Sequence, residues 1–499
     1  MRAAFREAVV AMGAALATLA CTLALAPASG PAVLAVVLSL SLSRSRLADD
    51  RRHRLESAFV LPLVGLAAVG VGLLLRDAPW LGAMLFIAGM ALPIWMRRFG
   101  PDARRLGSLL ALPFVALLVA PHGAAVRAGP IPALLFPVVI ALLASLWAAV
   151  AHALAVRAGW LAVAAATPTT PALAPTRAPM SPETAPATEV RTAEVRATRL
   201  KPDASTRMAL QMAVALALSF VVGHVFFAGH WAWLVLTAYI VGSGNRGRLD
   251  VAWKSLLRIA GAGAGTVVAL LLDFHAGGHG TLVAGLILGA VFLGVWLRPI
   301  GYGWWALFVT IALALLQGFS DAPASQLLAQ RMLEIFVGAA IAVACAWWLL
   351  PVRSTAVLRR RIADALAALS AALDPANPQR TPTHFIDALD DVARIAPSFR
   401  ALRAATGRWR QPQPADWIDA LLECRSSAIA LVESGATPPE ARRAVGAARK
   451  ALLEPATLST ALRALRQALP DRDAGDPAML NPAATRPDSA PASTAPPTA

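Results

Sequence analysis

The sequence contains few charged residues and very few cysteines, and both shortages narrow its class. Only 15% of its 499 residues are charged, whereas 57% are hydrophobic. Soluble globular chains are usually about 25% charged and about 45–50% apolar, so a soluble globular protein is excluded as a description of the whole chain. The 3 cysteines, Cys21, Cys345 and Cys424, are too few for a disulfide framework. We expect all of them to be reduced and structural.

Lysine is almost absent, so arginine carries nearly all of the positive charge of the chain, which is formally +16. A basic soluble protein would suggest a nucleic-acid partner. Here, however, the arginines lie between long apolar runs, which is typical of the topology signals of a membrane protein. We therefore expect a lipid bilayer, and no nucleic acid, as the partner of this charge pattern.

Long apolar runs dominate the sequence. A helix needs about 20 apolar residues to cross the hydrocarbon layer, with about 17–25 tolerated. The hydropathy pattern predicts about twelve such helices in two groups of about six, and the second helix of each group is short. The predicted spans are residues 5–26, 31–43, 57–75, 80–96, 107–120, 131–156, 208–228, 231–241, 255–272, 281–297, 304–317 and 332–350.

Patterns that recur at a similar offset indicate an internal repeat. "IWMRRFG", with Arg97, corresponds to "VWLRPIG", with Arg298, and Trp147 corresponds to Trp347. Near the N-terminus "EAVVAMGAALA" corresponds to "MAVALALSF" in the second half. The sequence therefore predicts a duplicated six-helix unit, and since six is even, the two halves form a parallel repeat. The first run resembles a signal peptide, but its counterpart favours an uncleaved helix.

Basic loops orient the chain. The loops after the second, fourth, eighth, tenth and twelfth spans carry arginines, whereas the alternate loops carry few charges. The positive-inside rule places the basic loops, the central linker and both termini in the cytoplasm. The sequence therefore predicts a multi-pass protein with both ends on the cytoplasmic side.

Composition divides the chain into five parts. We expect a first six-helix membrane unit at residues 1–157, a disordered Pro/Ala/Thr-rich linker at 158–206 and a second six-helix unit at 207–352. A small cytoplasmic helical bundle at 353–470 and a disordered tail at 471–499 follow. The predicted fold class is thus an all-α polytopic membrane protein of about twelve transmembrane helices, built as two parallel repeats, with a helical bundle attached.

One glycine-rich stretch resembles a nucleotide-binding loop. Gly261, Gly263 and Gly265 alternate with alanine, but no predicted strand precedes them, so the βαβ context of a dinucleotide site is missing. Gly261-x-x-x-Gly265 and Gly285-x-x-x-Gly289 suit close helix packing in lipid instead. Because no nucleophile motif or phosphate loop occurs elsewhere, we expect neither enzyme activity nor a cofactor.

Four histidines lie near the predicted outer ends of the spans: His224, His230, His275 and His279. They could form a metal or proton site. Their irregular spacing and the lack of a nearby cysteine or carboxylate cluster favour polar interfacial positions, so we expect no metal site.

Cations at the edges of apolar runs are the candidate binding residues. Lys254 and Arg258 lie one helical turn apart on one helical face, at the start of the ninth predicted span. An arginine at mid-membrane costs about 2.5–3.5 kcal/mol on insertion scales, so Arg258 should face a partner or an aqueous cavity. Contact with an anion and snorkelling to the cytoplasmic surface both stay open. Arg331 and Glu334 form either a local ion pair or an anion-contacting arginine beside a carboxylate that exchanges a proton.

The second group of spans resembles a known family. "HWAWLVLT" begins at residue 230, "RIAGAGAGT" at 258 and "RMLEIFVG" at 331, and "LP" ends the region at 350–351. In this order and spacing they are similar to the fusaric acid resistance/aromatic acid exporter family over about residues 207–351. Trp231 and Trp233 in the first motif are either interfacial residues or rings that stack on a flat ligand. The first half lacks an arginine equivalent to Arg258.

The resemblance implies efflux of aromatic carboxylates or related toxic organic anions across the inner membrane of a bacterium. It also implies a periplasmic adaptor protein and an outer-membrane channel as partners, and a homo-oligomer is a further option. In this hypothesis Arg258 and Arg331 bind the anion, Lys254 guides its uptake, Trp231 or Trp233 contacts its ring, and Glu334 couples transport to protons.

Three other hypotheses stay open. An organic-anion channel would use the same cations without stoichiometric proton movement. A membrane scaffold or sensor would act through the helical region at 353–470. A major-facilitator transporter also has two parallel six-helix halves, but "SRSRLADDRRHR" between the second and third spans lacks that family's loop signature.

Overall fold

The computed structural model describes residues 1–25, 27, 29–44, 51–119, 135–161, 203–227, 231–244, 246–276, 280–317, 324–377, 380–407 and 413–470. The predicted tail and residues 162–202 of the predicted linker lie outside this range. The chain divides into two compact units, Met1–Ser354 and Thr355–Ala499. Helices account for the regular structure of both units and no strand occurs among the described residues, which confirms the predicted all-helical fold.

The first unit consists of long apolar helices. Alanine and leucine, which favour helices, dominate these segments, and in a bilayer a helix satisfies its own backbone groups. In chain order the helices are α1 (Arg2–Leu25), α2 (Ser29–Arg44), α3 (Arg51–Asp77), α4 (Pro79–Met96), α5 (Pro101–Val119), α6 (Phe136–Arg157), α7 (Ala204–Phe226), α8 (Trp231–Gly242), α9 (Arg248–Ala276), α10 (Gly280–Leu297), α11 (Tyr302–Gln317) and α12 (Ala324–Trp348).

Among the described residues, 8 helices are long and apolar enough to cross a membrane. They are α1, α4, α6, α7, α9, α10 and the apolar parts of α3 and α12. A helix also lies at each of the other predicted spans, but α2, α8 and α11 are short. The 12 residues of α8 rise only about 18 Å, against about 30 Å of hydrocarbon. Crossing by these three helices and by α5 therefore stays a prediction.

The helices of each half contact one another in a similar order. In the first half α6 packs on α1, α2 and α3, and α5 packs on α3 and α4. In the second half α12 packs on α7, α8 and α9, and α11 packs on α9 and α10. The halves also meet reciprocally, because α1 contacts α10 while α4 contacts α7. The first helix of each half thus meets the fourth helix of the other.

Two glycines bring α9 close to α11. A Cβ atom added at Gly261 would lie 2.9 Å from the carbonyl oxygen of Gly303, and one at Gly265 would lie 2.6 Å from the carbonyl oxygen of Leu307. Both distances are too short for a real contact, so only glycine permits this approach. The packing interpretation of Gly261-x-x-x-Gly265 is confirmed.

The same interpretation is wrong for Gly285 and Gly289. No described atom lies within 4 Å of a Cβ added at either position. Small residues permit close packing only where a partner helix approaches them, and no described part of the chain approaches these two glycines closely.

Gly265→Ala should destabilise the first unit, because its methyl group would push against the backbone of α11. Overpacking of this kind costs about 1–3 kcal/mol, which should appear as a lower thermal midpoint of the detergent-purified protein. Gly289→Ala is the matched control, since the same methyl group meets open space there and alanine favours a helix. Equal midpoints for the two variants would contradict the proposed close approach.

The second unit is a set of shorter amphipathic helices. They are α13 (Ser354–Ala372, whose first residue belongs to the first unit), α14 (Thr383–Ala393), α15 (Ala396–Thr406), α16 (Pro414–Glu423), α17 (Arg425–Glu433), α18 (Pro439–Ala451) and α19 (Pro455–Ala468). Ion pairs join α15 to α16: Arg403 lies 2.8 Å from Asp416 and 2.8 Å from Asp419. Apolar faces form the core and arginines line the exposed faces.

The cysteines confirm their predicted role. Cys21, Cys345 and Cys424 are all free. Burial raises the pKa of the Cys424 thiol to about 11. A thiol that stays protonated at neutral pH is a poor nucleophile, so Cys424 acts as a small core residue.

Candidate functional site: a buried cation site

Arg258 lies inside the helix packing rather than at its edge. It stands ten residues after the start of α9, a rise of about 15 Å, and its relative exposure is 0%. None of its three guanidinium nitrogens has a hydrogen-bond partner among the described residues. A buried charge is normally paired, because leaving it alone costs several kcal/mol. Arg258 is therefore a buried cation for which the described residues supply no hydrogen-bond partner, and within this structure its side chain does not snorkel to the surface.

Arg331 lies on α12 with a relative exposure of 2%. Its guanidinium carbon lies 3.9 Å from the ring centroid of Trp233 on α8, which is also buried. A desolvated cation over an indole face gains about 2 kcal/mol. The indole face therefore helps to hold the guanidinium group in one position.

The two buried arginines lie close enough for their charges to interact. They stand on α9 and α12, which pack against each other. Like charges in a medium of low dielectric constant repel strongly, so an anion that binds near both would relieve this repulsion. Two guanidinium groups also offer the fork geometry that carboxylates prefer.

Glu334 places one negative charge beside this pair. It lies one turn after Arg331 on α12, its relative exposure is 1%, and both carboxylate oxygens are buried. The carboxylate interacts electrostatically with Arg331. We call Arg258, Arg331, Glu334 and Trp233 the buried cation site. With Glu334 ionised its net charge is about +1, and with Glu334 protonated it is about +2, by counting the ordinary charges.

A close contact between α12 and α8 sets the geometry of the site. A Cβ atom added at Gly338 would lie 2.6 Å from the carbonyl oxygen of Leu234 and 3.2 Å from Cβ of Thr237. Gly338 is one turn after Glu334, and the hydroxyl of Thr237 is buried without a hydrogen-bond partner in the described structure. Thr237 belongs to the motif that gave the family resemblance, and it lies on the same side of α8 as Trp233.

The end of α12 is fastened to α7 by a buried amide. Nε2 of Gln211 donates hydrogen bonds to the carbonyl oxygens of Leu349, at 2.7 Å, and of Leu350, at 3.2 Å. Leu350 has a φ of 48°, a left-handed conformation that costs a non-glycine residue about 1–2 kcal/mol. The hydrogen bonds hold the chain in this turn and so fix where α12 ends.

Lys254 is not part of the buried cation site. Its Nζ lies 2.8 Å from Oδ2 of Asp250 and donates to the carbonyl oxygens of Ser243, at 3.5 Å, and Gly244, at 3.3 Å. These contacts tie the start of α9 to the loop before it and compensate the lysine charge. The structure thus gives Lys254 a set of structural contacts, and its role in guiding an anion stays a prediction.

Trp231 packs against aromatic side chains of α7. Its ring stacks on the ring of His224 with 5.3 Å between centroids, and its centroid lies 5.2 Å from that of the Phe220 ring. From the first half, the ring of Trp80 on α4 lies 5.4 Å from the ring of His224. Residues two apart on a helix point in nearly opposite directions, which separates Trp231 from Trp233. Among the other histidines, His230, His279 and the side chain of His275 lie outside the described residues.

Sequence reasoning missed Tyr302. It is the first residue of α11, its hydroxyl is buried without a hydrogen-bond partner among the described residues, and it interacts electrostatically with Arg258. Its rarity was the available signal, because the chain has only 2 tyrosines.

These features define a helical, multi-pass membrane protein with a cationic site buried among its helices. Residues 213–345 match the family described as "Fusaric acid resistance protein-like", so this part of the chain is similar to that family. The matched region contains all six residues predicted for the site. A comparison with curated proteins finds no match.

Proposed function

We propose that this protein exports aromatic carboxylic acids or related toxic organic anions across the inner membrane of a bacterium. The main support is the pair Arg258 and Arg331, buried together beside Trp233 inside the region that matches the family. Binding a carboxylate is the function that two buried guanidinium groups perform best. The substrate leaves chemically unchanged, so no enzymatic step is involved.

The proposed architecture has about twelve membrane spans in two parallel repeats, with both termini and the second unit in the cytoplasm. The similar contact order within the two halves and the reciprocal contacts of α1 with α10 and α4 with α7 support the repeat. The repeat is asymmetric in function, because the first half lacks a residue equivalent to Arg258. The substrate site therefore belongs to the second half.

The physical chemistry of a weak acid suggests a binding step. An aromatic acid with a pKa near that of Asp or Glu, about 4, is ionised in a neutral cytoplasm. Its carboxylate would meet Arg258 and Arg331, and its ring would lie against the apolar and indole surfaces around Trp233. The membrane potential, negative inside, favours the exit of an anion by about 2.3 kcal/mol per charge and 100 mV. Release requires a competitor for the arginines, and Glu334 is the adjacent candidate.

Partners follow from the direction of export. An anion released into the periplasm would need a further route across the outer membrane, so we include a periplasmic adaptor protein and an outer-membrane channel in the proposal. We also include in the proposal that the protein forms a homo-oligomer.

Survival of a deletion strain tests the function. Growth with and without a plasmid copy should be compared on a panel of aromatic and aliphatic acids at several pH values. We expect the plasmid to raise tolerance of aromatic acids, most strongly at low pH, because more neutral acid then enters through the bilayer. Unchanged tolerance of every acid would contradict export.

Flux into reconstituted vesicles separates a transporter from an anion channel. Carboxylate flux that saturates with concentration supports transport. A current that follows the electrochemical driving force without saturation would identify a channel that uses the same cations.

A further inference from the structure

Tyr302 lies near a buried arginine and an exposed one. Its side chain interacts electrostatically with both Arg258 and Arg298. Its hydroxyl is shielded from solvent and has no hydrogen-bond partner within the described residues. A buried hydroxyl without a partner is costly, so a phenol at this position is expected to meet a ligand.

Helix packing holds Tyr302 at the level of Arg258. Gly303, the next residue of α11, lies against Leu257, the residue before Arg258, with 3.5 Å between a Cβ added to Gly303 and Cδ2 of Leu257. One turn further, Gly261 of α9 touches the carbonyl oxygen of Gly303. Tyr302 and Arg258, the chain neighbours of Gly303 and Leu257, therefore lie at the same level of the contact between α9 and α11.

Arg298 is the exposed cation of this group. It follows the end of α10, in a loop that the sequence assigns to the cytoplasm. Its guanidinium carbon lies 6.0 Å from the ring centroid of Trp305, and the ring of Trp305 lies 5.5 Å from the ring of Tyr302. Because Lys254 is neutralised by Asp250, Arg298 is the better placed of the two to attract an anion toward Arg258.

We propose that Tyr302 determines specificity for carboxylates and that Arg298 is the surface cation that attracts them. The phenol hydroxyl donates a hydrogen bond to one carboxylate oxygen while Arg258 binds the other. A neutral donor adds a directional hydrogen bond without adding charge. A carboxylate therefore gains more binding free energy from it than a spherical halide does. This inference rests on the proposed function, because it assigns two further residues to the same site.

Binding of benzoate tests the inference without requiring transport. Radiolabelled benzoate would be equilibrated by dialysis with the purified full-length protein, and chloride would be added as a competitor. Tyr302→Phe should weaken benzoate binding about tenfold or more, the range for one hydrogen bond to a charged group, and should change chloride competition little. Tyr239→Phe is the matched control, because it removes the hydroxyl of the other tyrosine in the chain.

The salt dependence of benzoate binding to Arg298→Gln gives a second test, which a purely structural role of Arg298 would not affect. Since the attraction of an exposed charge is screened by salt, this variant should bind benzoate about threefold more weakly at low salt and like the wild type at about 0.5 M salt. Arg98→Gln is the control, because Arg98 is also exposed and also lies over a tryptophan, Trp95, at 5.2 Å.

Each outcome decides the inference. Wild-type affinity in Tyr302→Phe, or an equal loss in Tyr239→Phe, would overturn the specificity role. A defect of Arg298→Gln that persists at high salt would overturn the role in attraction. If benzoate binds with the expected Tyr302 dependence but no flux occurs, export fails and the inference stands. If flux occurs and Tyr302→Phe binds normally, the inference fails and export stands.

Discussion

Arg258→Gln and Arg331→Gln should each reduce benzoate flux about a hundredfold, the loss expected when one partner of a buried charged contact is truncated. Glutamine keeps much of the volume and the polar end of the side chain but removes the positive charge. The structure gives the reason for a large effect, because both guanidinium groups are buried and water cannot replace the missing charge. Flux into vesicles and benzoate affinity should fall together.

Two further variants in α9, Lys254→Gln and Arg258→Lys, are the controls for this result. Lys254→Gln should keep flux within about twofold of the wild type, since its charge is paired with Asp250 near the surface and such pairs contribute about 0–1 kcal/mol. Arg258→Lys keeps the charge but loses the fork, so partial flux should remain. Normal flux in correctly inserted Arg258→Gln and Arg331→Gln would remove both residues from the binding site.

The sequence was sufficient to identify the buried arginines because the bilayer imposes a strong rule. An arginine followed directly by small and apolar residues, as Arg258 is, must find a partner or a path to the surface. The sequence left these two alternatives open, and the 0% exposure of Arg258 argues against a path to the surface, while the partner stays a prediction. The all-helical fold was predictable for the same reason, because continuous apolar runs permit little else in lipid.

The sequence was a poorer guide to contacts between helices. Lys254 and Arg258 share a helical face, but Lys254 contacts Asp250 in the first turn of α9 and two carbonyl oxygens of the loop before it. Trp231 and Trp233 are close in the chain, yet Trp233 contacts Arg331 of α12 whereas the ring of Trp231 stacks on His224 of α7. Each case depends on which element packs against a face, and that information is distributed over distant parts of the chain.

The glycine motifs show the same limit. Gly261-x-x-x-Gly265 and Gly285-x-x-x-Gly289 have identical spacing, but only the first pair faces a partner helix at close range in the described structure. Spacing defines a groove on a helix, whereas occupation of the groove depends on tertiary structure. Tyr302 escaped prediction because its importance comes from its position near two arginines that lie 40 residues apart.

Glu334→Gln should remove the pH dependence of benzoate binding. In the wild type, ionised Glu334 competes with the substrate carboxylate for Arg331, so protonation of Glu334 favours the anion. By linkage, binding an anion also favours the proton. Wild-type affinity should therefore rise as the pH falls, by up to about tenfold per pH unit when one proton is taken up with each anion. Glu334→Gln should bind tightly throughout.

The pH range of this experiment has to distinguish titration of the protein from titration of its ligand. Between about pH 6 and 9 an aromatic carboxylic acid with a pKa near 4 stays ionised, so any change in affinity belongs to the protein. Glu334→Asp is the matched control, because it retains a titrating carboxylate and should retain a pH dependence.

The rate of benzoate transport is the second measurement for the Glu334 variant. If Glu334 is the competitor that releases the anion, Glu334→Gln should bind benzoate more tightly but transport it more slowly, because release becomes limiting. A variant that binds and transports like the wild type at every pH would show that the carboxylate is a structural partner of Arg331. Tighter binding with unchanged flux would place release elsewhere, and the arginines alone would then account for the chemistry of the site.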